Sequence, residues 1–116
     1  MSQHDDSVRL RHMLDAARRA VALTAGKTRA QVTGDEIGQL ALVRLLEIVG
    51  EAAGRISPAF RSAHPELPWS EMNGLRNRLV HAYFDVDLEV LLDIVEKDLP
   101  PIIGQIERLL PTGDSE

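Results

Sequence analysis

Apolar residues recur along this chain at helical spacing, and no segment alternates in the manner of a half-buried strand. Leu10, Leu14, Ala17 and Val21 make one stripe, with Arg9, Arg11, Arg18 and Arg19 elsewhere on the wheel. That pattern predicts an amphipathic helix over roughly 5–24, ended by Gly26. Ala25 to Asp35 holds Gly26, Thr28, Thr33 and Gly34 without an apolar period and reads as the main loop. The longest stripe follows: Ile37, Leu40, Ala41, Leu45, Ile48, Val49, Ala52 and Ile56 predict a helix from an N-cap at Asp35 to about Arg55. Within it Gly50 and Gly54 each cost about 1 kcal/mol relative to Ala. Either a close helix–helix contact offsets that cost, or both are tolerated near a fraying end.

Ser57 and Pro58 have the cap and first-position chemistry of a short helix, closed off by Pro65 and Pro68. Trp69-Ser70-Glu71 opens the next helix, with Met72, Leu75, Leu79 and Val80 on its apolar side, and it is expected to run to about Tyr83. Asp85 and Asp87 are candidate caps for a last helix bearing Leu88, Leu91, Leu92 and Val95. Pro100-Pro101 interrupts that helix, so a kink or restart is expected before Ile102, Ile103, Ile106 and Leu110 resume the stripe; the tail from Pro111 is expected to fray. The fold class is all-α: an antiparallel four-helix bundle with an additional short helix and a kinked C-terminal helix.

At 116 residues the chain has room for one core, so a single domain spanning 1–116 is expected, structured over about 5–110. It has no cysteine, which excludes disulfides, thiolate metal sites and cysteine nucleophiles and favours a reducing compartment such as the cytoplasm. The first residues are acidic where a signal peptide is basic, and no apolar run reaches the length of a membrane span; a soluble cytoplasmic protein is expected. The net charge of −5 is uneven: residues 1–43 and 44–81 each carry +1, and 82–116 carry −7. Such a balance argues against nonspecific nucleic-acid binding over the whole surface, while leaving the middle third open to a local anionic substrate. Aromatics are confined to Phe60, Trp69, Tyr83 and Phe84, too few for a base-stacking platform.

His4, His12, His64 and His81 are scattered without metal-ligand spacing, and there is neither a glycine-rich phosphate loop nor a nucleophile elbow. The segment that could carry chemistry is Leu75 to Phe84, which includes Arg76, Asn77, Arg78, His81 and Tyr83. On an ideal helix Asn77 lies about 40° from His81, and Arg76 about 140° from it. Residue types alone admit two readings: a solvated helix face with one partly buried histidine, or a site in which an amide orients an imidazole beside an arginine.

Arg76-Asn77, three residues, His81 and then Tyr83 resemble the R-N-x-x-x-H signature of HEPN domains, in the R-x4-H-x-Y form of HepT-like toxins. Ile48-Val49-Gly50-Glu51-Ala52-Ala53, His64-Pro65-Glu66-Leu67-Pro68-Trp69 and Asp98-Leu99-Pro100 also resemble blocks of that family, so the likeness covers nearly the whole chain. Ala25 to Asp35 is the poorest match and lacks the aromatic expected there. The resemblance implies a metal-independent endoribonuclease without a cofactor, the toxin of a type VII-like pair. Its antitoxin would be a nucleotidyltransferase similar to MntA, which AMPylates the residue matched by Tyr83. RNA brings its own nucleophile, the 2′-hydroxyl, so such a site needs proton transfer and stabilisation of charge on phosphate. On that basis His81 is the expected general acid/base, Arg76 the phosphate and transition-state stabiliser, and Asn77 the orienting group. Arg78 is a weaker candidate for the RNA backbone. A homodimer is expected because two histidines across one cleft could share the two proton transfers. A catalytically idle helical module that binds a nucleotidyltransferase and helps present its substrate is the alternative.

Overall fold

In the computed structural model, which describes residues 3–79 and 86–110 and every side chain among them except those of Gln3, His4 and Arg76, two long helices form the frame. Helix α1 (Gln3–Thr24) buries Leu10, Met13, Leu14, Ala16, Ala17 and Ala20. Its alanines let α3 (Glu36–Gly54) lie close alongside, and these two helices make the most extensive pairing in the structure. The expected cap is in place: the Asp35 carboxylate accepts from the Gly38 N–H at 2.9 Å. The buried face of α3 differs from the expected stripe. Leu42, Leu46, Val49 and Ala53 point inward, whereas Ile37 and Leu40 are 81% and 65% exposed. This helix is apolar around most of its circumference, so periodicity alone could not select the inner face.

The predicted loop at Ala25 to Asp35 contains a helix, α2 (Arg29–Thr33). A reciprocal capping box starts it, the Thr28 hydroxyl accepting from the Gln31 N–H and the Gln31 side chain accepting from the Thr28 N–H, and Val32 is buried beneath it. Arg29 then ties α2 to the C-terminal helices through Glu89, Asp93 and Glu96, each at 2.8 Å. These carboxylates raise the Arg29 pKa, and the Arg29 guanidinium holds the Asp93 carboxyl below its ordinary value.

Helix α4 (Pro58–Ala63) begins as expected, with Ser57 accepting from the Phe60 N–H and Pro58 in its first turn. Asp6 reaches across from α1 and is 3% exposed; its carboxylate accepts from the Ser57 N–H at 2.8 Å and from the Ser57 hydroxyl at 2.7 Å. The expected helix from Trp69 to Tyr83 is divided at Gly74 into α5 (Trp69–Asn73) and α6 (Leu75–Leu79), and Val80 to Asp85 lie outside the described residues. Met72, Leu75 and Leu79 are buried as expected.

Asp87 caps α7 (Leu88–Asp93) through the Val90 N–H. The expected interruption is a widened π-helical turn, Ile94–Asp98, before α8 (Leu99–Leu109). In an α-helix the rings of Pro100 and Pro101 would collide with the carbonyls of Glu96 and Lys97. The wider turn relieves this, with the Leu99 N–H bonding back to the Ile94 carbonyl.

Buried side chains from these helices make one hydrophobic cluster, and every regular element among the described residues is helical, in agreement with the all-α bundle. None of the described helices is long and apolar enough to cross a membrane.

Candidate active site

The glycines of α3 lie against α5, the helix that leads into α6. A Cβ added at Gly50 would meet the Met72 carbonyl oxygen at 2.8 Å, and one at Gly54 would meet Asn73 Oδ1 at 2.6 Å. Gly50 therefore marks a close approach of α3 to the α5 backbone, whereas Gly54 meets only an exposed side chain that can turn aside. Trp69 fixes the far end of α5: its indole N–H donates to the His64 carbonyl at 2.8 Å, and its ring meets Phe60 edge-on, with centroids 6.3 Å apart. Leu75 and Leu79 anchor the inner face of α6 in the core, leaving Asn77 and Arg78 on its outer faces.

Asn77 opens into a cleft of about 250 Å³ between α3 and α6, lined also by Glu47, Gly50, Glu51 and Asn73. Arg44, on the same face of α3, reaches Glu47 at 3.5 Å and Glu51 at 3.7 Å and offsets part of their charge. An exposed amide can donate to a phosphate or ribose oxygen in this cleft and accept through its own oxygen.

Arg78 follows Asn77 by about 100° around the helix and turns to another concavity. It pairs with Asp98 at 3.5 Å, in a groove of about 290 Å³ that includes Met72, Leu75 and Lys97. Asn77 and Arg78 thus occupy different clefts. Arg76 lies on α6 between Leu75 and Asn77, and its side chain is outside the description, as are His81, Tyr83 and Phe84.

The sequence reading missed the acidic wall of the Asn77 cleft, Glu47 and Glu51. Their spacing of four around Gly50 would have placed them on one face of α3 beside the glycine contact. No group of three or more His, Cys, Asp or Glu side chains able to hold a metal ion occurs among the described residues.

Comparison with known proteins is specific. The family model described as "Ribonuclease HepT-like" matches residues 13–109, which include Arg76, Asn77, His81 and Tyr83. A protein of Thermococcus cleftensis named "Probable ribonuclease HepT" is 47% identical over 75 residues, 65% of this chain and 68% of its own length. A Methanocaldococcus jannaschii protein named "Putative RNase MJ1380" is 36% identical over 107 residues, 92% of this chain and 98% of its own. One of Caldanaerobacter subterraneus subsp. tengcongensis, "Putative RNase TTE0752", is 31% identical over 101 residues, 87% of this chain and 90% of its own. No solved structure matches significantly.

Proposed function

This chain belongs to the ribonuclease HepT-like family, and from that premise we propose that it is a metal-independent endoribonuclease and the toxin of a nucleotidyltransferase-neutralised pair. The observation that carries this reading is the family match itself, because the residues it spans include Arg76, Asn77 and His81.

In the proposed reaction a ribose 2′-oxygen attacks the adjacent phosphorus and loses its proton to His81. Arg76 stabilises the charge gathering on the non-bridging oxygens, and Asn77 orients His81 and Arg76. The P–O5′ bond breaks, leaving a 2′,3′-cyclic phosphate and a 5′-hydroxyl once the leaving oxygen is protonated. The placement of Asn77 at the mouth of the α3–α6 cleft supports its share of this scheme. Arg78 has the weaker role of contacting the RNA backbone, since Asp98 already engages it.

One imidazole cannot take the first proton and deliver the last in a single pass, so the active unit is proposed to be a two-fold dimer. The exposed face of α3 supports this. Leu40, Arg44, Glu47 and Glu51 are spaced four, three and four apart and share one side of that helix, with Ile37 beside them. The apolar patch of Ile37 and Leu40 therefore runs toward the Asn77 cleft, and a second copy seated there would bring its own α6 near.

Tyr83, two residues beyond His81, is the proposed site of AMPylation, which would place bulk and negative charge beside an RNA cleft in the cytoplasm. Intact mass after incubation with the cognate nucleotidyltransferase and ATP should show an added AMP that is absent in Tyr83→Phe; an increment that persists in the variant removes this assignment. For the activity itself, expression without the antitoxin should arrest growth and degrade RNA, and His81→Ala should do neither. Equal harmlessness of both would contradict the proposal.

A further inference from the structure

Beside the Asn77 cleft, across Glu51, lies a second concavity of about 170 Å³ between α1 and α3. Arg9 and His12 enter it from one face of α1, three residues apart, and Arg55 enters from the cap of α3, four residues after Glu51. Ile48 and Ala52 line the wall between them. Arg18, Arg19, Arg29, Arg44 and Arg78 each pair with a carboxylate, whereas neither Arg9 nor Arg55 forms an ion pair among the described residues. Arg9 Nε is moreover shielded from solvent and has no acceptor. Glu51, the one carboxylate among the described lining residues, is engaged by Arg44 at 3.7 Å.

A concavity lined by two guanidinium groups without ion pairs and by an imidazole suits an oxyanion. Two guanidinium forks suit the several oxygens of one phosphate. We infer that Arg9, His12 and Arg55 form a phosphate subsite that holds an RNA backbone phosphodiester flanking the one cleaved. The inference rests on the ribonuclease reading for its ligand, though the anion chemistry stands on these side chains alone. The shared Glu51 ridge sets the two clefts side by side, so a strand crossing α3 would present successive phosphates to each. The subsite contributes affinity and register without sequence readout.

The test has two arms on the full chain. In the first, the His12 ring resonances are followed by NMR while inorganic phosphate is added, against sodium chloride of equal ionic strength. A saturable phosphate-specific shift is expected in the wild type, at least about 10-fold weaker in Arg9→Gln/Arg55→Gln, with weakening also in Arg55→Gln alone, which alters only an exposed side chain. No such shift in the wild type overturns the subsite, whatever the protein does to RNA. In the second, anisotropy with an uncleavable RNA carrying 2′-deoxyribose is read over a range of salt. The double variant should bind about 10-fold more weakly, with a log K against log salt slope shallower by about 0.7 for each lost phosphate contact. An unchanged slope alongside a positive first arm shows a free-phosphate site and overturns the RNA assignment. Wild type that takes phosphate but no RNA overturns that assignment and the ribonuclease reading together.

Discussion

Replacing Gly50 with alanine sets two effects of similar size against each other. Helix propensity favours the change by about 1 kcal/mol, because glycine in a helix interior is that much worse than alanine. The structure opposes it: the new methyl would stand 2.8 Å from the Met72 carbonyl oxygen, against an ordinary contact of at least 3.4 Å, so α3 and α5 must part by about 0.6 Å, the difference of the two. The obstacle is backbone, and the Met72 side chain beneath it is 1% exposed, so α5 cannot retreat without loosening the core. Overpacking of this kind costs about 1–3 kcal/mol, and with alanine's propensity assisting only in part we expect a net loss of about 1–2 kcal/mol. For a chain of this size that lowers Tm by about 4–8 °C. Gly54→Ala is the internal control, because its obstacle is the amide of exposed Asn73, which can turn aside. It should leave Tm unchanged or raise it by up to about 4 °C. Thermal melts at one protein concentration decide the matter. Gly50→Ala melting at or above the wild-type temperature would refute the close α3–α5 approach that positions α6.

Asp6→Ala leaves the Ser57 N–H and hydroxyl without their buried acceptor and should cost about 2 kcal/mol in urea unfolding, with an unchanged m value. Asp93 has a folded pKa below its ordinary 3.8, so its contribution is present above that value and lost as pH falls through the lower folded one; below pH 3.8, Arg29→Gln should show a shallower acid loss of stability than wild type by circular dichroism. Arg78→Ala should reduce RNA cleavage by less than about 10-fold, whereas His81→Ala should reduce it by about 10²–10⁴, as measured on a labelled oligonucleotide.

Capping chemistry and apolar period were enough to place α1, the start of α3 at Asp35, the Ser57 and Pro58 start of α4 and the Asp87 cap of α7. Helix α2 escaped because five residues with one buried apolar side chain make no period, although Thr28 and Gln31 carried the signal of a capping box. The prolines announced an interruption, but its form as a π turn depends on how the backbone relieves two ring clashes at once. Gly50 and Gly54 could be understood only once α5 was seen against α3. At the site, the motif from Arg76 to Tyr83 was plain in the sequence, and the separation of Asn77 from Arg78 was not. Both lie on α6, and it is the packing of α3 on one side and of the π turn and α8 on the other that gives them different clefts. Arg9 and Arg55 lie far apart in sequence, and only the α1–α3 pairing brings them together.

The activity proposed for this chain is cleavage of RNA by its own 2′-hydroxyl, with His81 as the proposed general acid/base. Purified protein incubated with an RNA oligonucleotide in the presence of a metal chelator should give fragments ending in 2′,3′-cyclic phosphate, none at a position bearing 2′-deoxyribose, and at least about 100-fold fewer with His81→Ala. Intact RNA with wild-type protein, or equal cleavage by wild type and His81→Ala, would contradict the account.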